Sequence, residues 1–560
     1  MSLKSFILSG LLVSIATASL DLSSLRDQVK AIFYHAYNGY LDHAFPYDEL
    51  RPLSCDGIDT WGSYSLTLVD ALDTLAVLGN QSEFQRVSEI LIDRLDFNVD
   101  LNVSVFETNI RVVGGLLSAH LMAQKVGVDV DEKWPCDGPL LKLAVDLARR
   151  LLPAFNTRTG MPYGTVNLKR GVDPNETPIT CTAGVGTFIV EFATISRLTG
   201  DQVFEKVALR ALKALHSRRS KIGLVGNHID VQSGRWTALD SGVGAAVDSY
   251  FEYLVKGAIL LDKPELMEMF KEYISPIEKH IKHGDWYMWV NMDSGSVTQA
   301  MHQSLDAFWP GLQTLYGDAD SAYKTLLNYY SVWRKYGATP EFYSIPHAAP
   351  YTNREGYPLR PELIESTMYM YRVNKDPMLL EFGNSAMHSI NVTSRTECGF
   401  ASIKDVQDHT LDNRMESFFL AETIKYLYLL FDPGNPLLST MKGATIRRFK
   451  NGEECLLGAG GFVFNTEAHP MDVSSLHCCD TMRKEMQKSE IYKILQDYDP
   501  EDIFQVSNLT RDLNPGPFTK TSRNNNQHKE GFNISAQPMS CSRQPFHMRL
   551  SKYGQIFTDD

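Results

Sequence analysis

The segment Leu198-Thr199-Gly200-Asp201 ends a long stretch whose apolar residues recur at helical spacing, and turns of this kind decide the fold. Gly and Asp in such places are typical of helix C-caps and of short turns between antiparallel helices. Seven turns of this type, at intervals of 48 to 73 residues, predict seven helical hairpins. They lie at Leu78-Gly79-Asn80, Val126-Gly127, Leu198 to Asp201, Leu261 to Pro264, Tyr316-Gly317-Asp318, Asn374 to Pro377 and Phe431-Asp432-Pro433.

Helical hairpins of this length can stack as an open solenoid or close into a toroid, since each pair must bury an apolar face against its neighbours. Strand patterns with period 2 are scarce, and the glycine-rich segments 242–244 and 458–461 are expected to be loops between hairpins. Acidic motifs occur in different hairpins, and only a ring would bring them together. The sequence therefore predicts an all-α toroid.

Five short segments place an acidic residue in apolar or Gly/Pro-rich surroundings, at Glu107, Asp248, Glu341, Glu362 and Glu467. Burying a carboxylate is costly unless it is paired, so such residues are either satisfied structurally or functional.

Each acid also has a structural interpretation, which the residues alone leave open. Glu107 could pair with Arg111 at i,i+4, and Asp248 could cap a helix after Gly244. Glu341 could lie in the first turn of a helix, and Glu362 with Arg360 could form a surface ion pair.

The composition and the N-terminus exclude some classes of protein. The 560-residue chain has 54 Lys+Arg against 67 Asp+Glu, a net charge of −13, which gives no basic surface for nucleic acid. Lys4, the apolar stretch from Phe6 to Ile15 and the small residues Ala16-Thr17-Ala18 predict a signal peptide over residues 1–18. The alternative, a membrane anchor, needs about 18 apolar residues. We therefore expect a soluble chain that enters the secretory pathway and has no membrane span.

Sequons and cysteines agree with that compartment. Six Asn-x-Ser/Thr sites occur, a number to which chance contributes, at Asn80, Asn102, Asn175, Asn391, Asn508 and Asn533. Eight cysteines occur, and the sequence alone selects no pairing among them. Their spacing matches neither a zinc site nor a Cys-x-x-Cys redox motif.

Five ordered motifs resemble glycoside hydrolase family 47, the inverting α1,2-mannosidases, and within it the branch of ER degradation-enhancing α-mannosidase-like proteins. The motifs are FETNIR (106–111), VDSYFEYL (247–254), RPELIES (360–366), MESFFLAET (415–423) and FNTEAHP (464–470). The resemblance implies an (α/α)7 barrel, which we expect over residues 19–470. Residues 471–560 would form a C-terminal extension, partly flexible because 507–549 are rich in Asn, Gln, Ser, Pro, Arg and Lys.

The resemblance also implies the catalytic groups. Glycoside hydrolysis needs an acid for the leaving oxygen and a carboxylate that activates water, about 6.5–9.5 Å apart in inverting enzymes. Glu107 matches a proton donor, acting directly or through a water, and Glu362 the base. Asp248 could be the base instead, and Glu341 is a second donor candidate.

Further matches concern a metal and the sugar. Thr466 matches a calcium-binding threonine, and Glu365, Glu422 and Glu467 would hold water bound to that metal. One residue cannot complete the shell of 6–8 oxygens that calcium prefers, so water and sugar hydroxyls must supply the rest. Arg111 and Phe418 match positions that face the sugar in the family, although a Phe on an apolar helix is more often a core residue. Glu365 and Glu422 also match substrate-binding positions.

The chain departs from the processing mannosidases of the family at Ser304 and Ala307, where those enzymes carry a His and a Cys. A substrate contact and their usual disulfide are therefore missing. Cys55 and Cys398 match a bridge of the ER degradation-enhancing branch, which would seal the ring. Cys541 is a candidate for an intermolecular disulfide with a thioredoxin-like ER oxidoreductase, or for an internal bridge to Cys478 or Cys479.

Two functions follow from the resemblance. The first is a calcium-dependent enzyme of the ER lumen that trims high-mannose N-glycans of misfolded glycoproteins and so initiates their degradation. The second is a lectin-like receptor that binds the same glycans without cutting them. The matched carboxylates and Thr466 are all present, which favours the enzyme.

Overall fold

The computed structural model describes residues 20–439, 444–449 and 454–479. The predicted signal peptide over 1–18, the sites Asn508 and Asn533, Cys541 and most of the expected C-terminal extension lie outside these residues. The described part of that extension, up to Cys479, packs on the helices and is tied to Cys136 by a disulfide. None of the helices in the described ranges is long and apolar enough to cross a membrane.

The fold is built mainly from α-helices, which run in chain order. They are α1 Leu22–His43, α2 Leu66–Val77, α3 Gln81–Arg94, α4 Val105–Glu107, α5 Gly114–Met122, α6 Pro139–Leu151, α7 Thr182–Gly186, α8 Ile189–Thr199, α9 Val203–His216, α10 Asp248–Leu261, α11 Pro264–Pro276, α12 Trp309–Tyr316, α13 Ala319–Tyr336, α14 Glu362–Asn374, α15 Pro377–Thr393 and α16 Ile424–Phe431.

Seven inner segments form the wall of a barrel, and seven outer helices cover them. The inner segments are α2, α4 with α5, α7 with α8, α10, α12, α14 and α16, and their residues are almost all buried. Six outer helices each follow an inner segment and bury one stripe only, and the seventh is α1 at the start of the helical sequence. The six are α3, α6, α9, α11, α13 and α15. The predicted (α/α)7 fold is therefore confirmed.

The seven predicted turns lie at or just beyond the C-terminal ends of the seven inner segments. Gly200 and Gly317 adopt the left-handed conformation there, with φ of 81° and 104°. Asp262 and Lys375 do the same at the ends of α10 and α14, with φ of 52° and 54°. Such a residue satisfies the last carbonyls of one helix and starts the chain back along the next.

The ring closes between the two ends of the helical sequence. The seventh inner segment, α16, packs against α1, so the last hairpin is completed by the first helix of the chain. Gly39 of α1 makes this approach possible, since a Cβ there would overlap the carbonyl oxygen of Cys398. Cys55 and Cys398, 343 residues apart, are joined by a disulfide across the same seam.

Short strands fill the connections between helices and pair antiparallel in nine small sheets of the described chain. They are β1 Glu49–Arg51, β2 Asp56–Ile58, β3 Asn102–Ser104, β4 Thr165–Asn167, β5 Ile179–Cys181, β6 His228–Asp230, β7 Trp236–Ala238, β8 Asp240–Ser241, β9 Lys282–His283, β10 Trp286–Tyr287, β11 Trp289–Asn291, β12 Val297–Gln299, β13 Met301–Gln303, β14 Phe342–Ser344, β15 Ala349–Pro350, β16 Ser402–Asp405, β17 Thr410–Asp412, β18 Thr445–Arg448, β19 Glu454–Leu457, β20 Phe462–Phe464 and β21 Pro470–Asp472.

The prediction that both glycine-rich segments are loops between helical hairpins is wrong for one of them. Residues 458–461 do not connect helical hairpins, because they join β19 to β20, and only the loop at 242–244 leads into an inner helix. Gly458, Gly460 and Gly461 have positive φ, which glycine adopts without strain and which lets the chain turn sharply into β20.

Candidate functional site

The predicted catalytic carboxylates gather at one end of the barrel. Glu107 lies at the start of the second inner segment, and Asp248 and Glu362 are the first residues of α10 and α14. Each of the first six inner segments is followed by an outer helix that returns the chain to the start of the next inner segment, so all seven run in one direction and their N-termini share one end. Glu341 lies in the connection that leads to α14, just before β14.

Arg111 joins three acids that come from distant parts of the chain. Its Nε donates to Oε2 of Glu107 at 2.8 Å, and its Nη1 donates to Oε2 of Glu467 at 3.1 Å. The same Nη1 lies 3.8 Å from Oδ2 of Asp70. The i,i+4 pair between Glu107 and Arg111 is therefore present, and it is part of a larger network.

Arg360 pairs with Glu341 and not with its neighbour along the chain. Its Nε donates to Oε1 of Glu341 at 2.6 Å, and its Nη2 donates to Oε2 at 3.3 Å. The helical interpretation of Glu341 is wrong, because the residue lies outside any helix. The surface-pair interpretation of Glu362 is also wrong, since the hydrogen bonds of the Arg360 guanidinium go to Glu341.

Asp248 and Glu362 hold protons more strongly than ordinary carboxyls do. Loss of hydration raises the pKa of Asp248 to about 7, and the neighbouring Glu252 adds to this effect. Loss of hydration likewise raises the pKa of Glu362 to about 8, although the charge of Arg360 opposes the change. Asp248 does not cap its helix from outside; it is the first helical residue, and its Oδ1 accepts the Ser249 amide at 2.8 Å.

Phe418 lies between the two guanidinium groups. The Arg111 guanidinium is 5.5 Å from the centre of its ring and the Arg360 guanidinium is 5.8 Å away. Only 7% of Phe418 is exposed, so the ring is part of the buried core. It also contacts the two arginines that bind the carboxylates. The Glu107–Arg111 pair, Phe418 and the Glu341–Arg360 pair are thus in contact with one another as one cluster.

Thr466 reaches the barrel interior at the tip of the hairpin formed by β20 and β21, which we call the central hairpin. Asn465 fixes this tip, since its Nδ2 donates to the Ile110 carbonyl at 2.9 Å and to Oε1 of Glu191 at 2.9 Å. Its Oδ1 accepts the amides of Glu467 and His469. A Cβ at Gly114 would lie within 2.5 Å of the Asn465 amide nitrogen, so the inner helix needs glycine there.

Two buried lysines hold the central hairpin from below. Lys256 donates to the Asn465 carbonyl at 3.3 Å, and Lys425 donates to the Ala468 carbonyl at 2.7 Å. Lys425 also lies 2.6 Å from Oδ1 of Asp73. The hairpin tip is therefore fixed by charged groups from two inner helices.

Three buried glutamates, Glu365, Glu422 and Glu467, hold protons more strongly than ordinary carboxyls do. Loss of hydration raises the pKa of Glu365 and of Glu467 to about 7. Burial, with the charges of Glu467, Glu362 and Glu365, raises the pKa of Glu422 well above its usual range. In the described chain no three acidic, His or Cys side chains are placed to chelate a metal directly. The donor set nevertheless fits a hard cation held by Thr466 and by water, because it offers hydroxyl, carbonyl and carboxylate oxygen atoms.

The remaining predicted residues are dispersed. Asn102 and Asn175 are exposed, whereas Asn80 and Asn391 are half-buried. Asn80 caps α3 by accepting the Glu83 amide, and its Nδ2 donates to Tyr34. Ser304 and Ala307 are buried in the turn before α12.

Sequence reasoning missed several buried groups that build the site. Asp70 and Asp73 were visible as charges in an apolar helix, yet their partners Arg111, His469 and Lys425 come from distant segments. Glu191 was missed entirely, although a lone acid in the apolar stretch 189–193 is a comparable signal. Two π-helical turns, Thr108–Val113 and Phe419–Thr423, follow the site residues Glu107 and Phe418, as is frequent at functional sites.

The buried acids predict that the metal-free protein loses stability as the pH rises. Loss of hydration raises the pKa of Glu191 and Asp248 to about 7 and that of Glu362 to about 8. These groups therefore bind more protons in the folded state than in the unfolded state, so their contribution falls from about pH 5 to about pH 8. His469, whose pKa is about 9 because Asp73 and Asp70 outweigh its burial, acts in the same direction.

Melting temperatures of the protein in chelator across this pH range should show the decline. The Glu191→Gln variant should give a flatter profile, since it removes one titrating group. A melting temperature that rises between pH 5 and pH 8 would contradict the prediction.

The comparisons with known proteins agree with the fold and with the motifs. Residues 32–473 match the model of glycosyl hydrolase family 47. The chain is 58% identical over 548 residues to ER degradation-enhancing alpha-mannosidase-like protein 2 of Mus musculus, covering 96% of this chain and 94% of that protein. Its identity to the Homo sapiens protein of the same name is 57% over 551 residues, with the same coverage. The solved structure of an alpha-1,2-mannosidase from Trichoderma reesei, 25% identical, superposes with a TM-score of 0.70 over 80% of this chain and 99% of that one. The chain therefore belongs to glycosyl hydrolase family 47.

Proposed function

We propose that the protein is an inverting α1,2-mannosidase of the ER lumen that trims high-mannose N-glycans of misfolded glycoproteins and so initiates their degradation. The convergence of Glu107, Asp248, Glu341 and Glu362 at one barrel mouth, beside Thr466, carries this proposal. The names of the mouse and human relatives support the compartment and the degradation role.

The reaction requires two carboxyl groups in different protonation states, one protonated and one ionised. Glu362 activates the attacking water once it is ionised, and Arg360, which lowers its pKa, favours that state. Glu107 supplies the proton to the leaving oxygen, directly or through a water, while Arg111 holds its Oε2 in place. Asp248 is the alternative base, and Glu341, held by Arg360, is the second donor candidate.

Arg111 and Phe418 orient the mannose. A guanidinium offers a rigid fork of donors to hydroxyl groups, and an aromatic ring packs against the apolar face of a sugar. Glu365 and Glu422 accept hydrogen bonds from sugar hydroxyls or from bound water. Thr466 would hold a bound calcium ion through its hydroxyl and carbonyl oxygens, and such an ion would supply Lewis-acid contacts to mannose hydroxyls that help to orient the sugar.

A direct test compares the purified protein with its Glu107→Gln variant on a glycoprotein that carries nine-mannose glycans, with and without a thioredoxin-like oxidoreductase. The unchanged protein should remove a terminal α1,2-linked mannose, released as the β-anomer, and the variant should lose most of this activity. Equal glycan profiles for the two proteins would favour a glycan receptor over an enzyme.

Calcium dependence predicts a loss of metal affinity in Thr466→Val. The variant lacks a hydroxyl ligand but keeps the shape of the side chain, so calcium should bind about tenfold or more weakly. Calcium titration by calorimetry measures the change, and Thr199→Val, at an exposed residue that ends α8 on the side opposite the barrel mouth, is the control. Unchanged calcium affinity in Thr466→Val would remove this threonine from the metal site.

The oxidoreductase partner is proposed through Cys541. Its internal alternatives are already engaged, since Cys478 is bonded to Cys455 and Cys479 to Cys136. Among the cysteines that the structure describes, Cys181 alone is free.

A further inference from the structure

The loop between β2 and α2 is held by a single buried carboxylate. Asp48, which is 0% exposed, accepts the amide of Trp61 at 2.9 Å and those of Gly62 and Ser63 at 3.0 Å through its Oδ2. Its Oδ1 accepts the Tyr64 amide at 2.7 Å. One acid thus fixes four consecutive residues, so this loop has one shape although it contains no regular structure.

The same loop holds strained backbone. Ser63 and Ser65 adopt the left-handed conformation, with φ of 62° and 56°, which is unfavourable for residues other than glycine. A Cβ at Gly62 would lie within 2.5 Å of Leu101, which shows how closely the loop packs on the segment leading to Glu107. Strain that the surrounding structure enforces in this way is typical of functional loops.

Trp61 is the side chain that this loop presents to the barrel mouth. The Arg111 guanidinium, which also binds Glu107, lies 5.8 Å from the centre of the Trp61 ring. Trp61 is half-buried, unlike Trp309 and Trp333, which are fully buried in the core. Its indole N–H donates no hydrogen bond within the described chain, whereas Trp236 of β7 donates to the Arg218 carbonyl at 2.7 Å. The Trp61 ring, with its indole N–H free to donate, therefore lies beside Arg111, the arginine that also binds the proposed acid Glu107.

We propose that Trp61 is a substrate-binding residue that packs its ring against a mannose residue of the glycan beside the Arg111 subsite and donates its indole N–H to a sugar hydroxyl. Asp48 is the positioning residue that holds Trp61 there. This inference rests on the proposed function, because it names a contact of the same glycan in the same barrel mouth. An aromatic ring with a polar edge suits a sugar, which has one apolar face and a rim of hydroxyl groups.

The test measures binding of a free nine-mannose oligosaccharide by calorimetry, in a Glu107→Gln background that prevents turnover. Adding Trp61→Ala should weaken binding about tenfold, because both the ring and the donor are lost. Trp61→Phe keeps a ring and should lose about threefold. Tyr47→Ala, which removes another exposed aromatic of the neighbouring connection, is the matched control and should bind as its parent does.

Kinetics separate a binding role from a structural one. In the otherwise unchanged enzyme, Trp61→Ala should raise KM about tenfold while kcat at saturating substrate and the melting temperature stay close to those of the parent. Unchanged affinity and KM in Trp61→Ala would overturn the inference and leave the proposed function intact. Failure of the Glu107→Gln parent to bind any mannose oligosaccharide would overturn the proposed function and this inference with it.

Discussion

Replacing Glu362 by Ala should slow mannose release by about three orders of magnitude, because no group then activates the attacking water. Glu362 is the first residue of α14 and is only partly buried, so the substitution removes the carboxyl without removing a helix-core side chain. The rate is measured as free mannose released from a nine-mannose oligosaccharide. Glu381→Ala, at an exposed residue of the outer helix α15, is the control and should be fully active.

Two further measurements assign the acid and the base. Azide can occupy the space of a deleted base, so it should restore part of the rate in Glu362→Ala and yield a β-mannosyl azide. A mannosyl fluoride needs little help from an acid, so it should be hydrolysed by Glu107→Gln but not by Glu362→Ala. Azide rescue of Asp248→Ala, with none in Glu362→Ala, would move the base to Asp248.

Replacing Lys425 by Met should lower the free energy of unfolding by about 3 kcal/mol, because it removes one of the two cationic partners of the buried Asp73 carboxylate, the other being His469. Lys425 and Asp73 are both 0% exposed at the side chain and lie 2.6 Å apart. Lys425 also donates to the Ala468 carbonyl, so the central hairpin loses one of its supports. Calcium affinity should therefore fall in the same variant.

Urea unfolding of matched lysine variants measures this effect. Lys271 pairs with Glu268 at 2.8 Å on the surface of α11, where both side chains are more than half exposed. Lys271→Met should cost about 0–1 kcal/mol, as exposed ion pairs usually do. Equal losses in the two variants would show that the buried lysine does not support the hairpin.

The repeating part of the fold is predictable from sequence because its determinants are local. Each of the seven turns combines Gly, Asp or Pro with the end of an apolar helical pattern, and those residue types end helices wherever they occur. Ring closure is different, since α1 and α16 meet through packing and through Cys55–Cys398, which no local pattern reveals. The spread of acidic motifs over different hairpins predicted closure, the family resemblance supplied the disulfide, and the structure agrees with both.

Part of the candidate site was likewise predictable from the sequence, and part of it was not. Glu107, Asp248, Glu341 and Glu362 were found because acids among apolar or Gly/Pro-rich residues are unusual. The local pair of Glu107 with Arg111 was found as well, but the distant partners were not, since Arg360 binds Glu341 and not Glu362, and Arg111 reaches Glu467 across 356 residues. Ion pairs between distant segments depend on how the helices assemble, and charge spacing along the chain does not encode them.

The central hairpin also determines when the protein can become active during its synthesis. Its tip at Asn465 to His469 is the latest part of the site to leave the ribosome, yet it binds residues as early as Asp73 and Ile110. Until that tip arrives, Lys256 and Lys425 lack their carbonyl acceptors at the barrel centre. A nascent chain halted before residue 465 can therefore assemble helical hairpins but not the complete candidate site, so under the proposed function glycan trimming would be confined to molecules whose barrel has been translated in full.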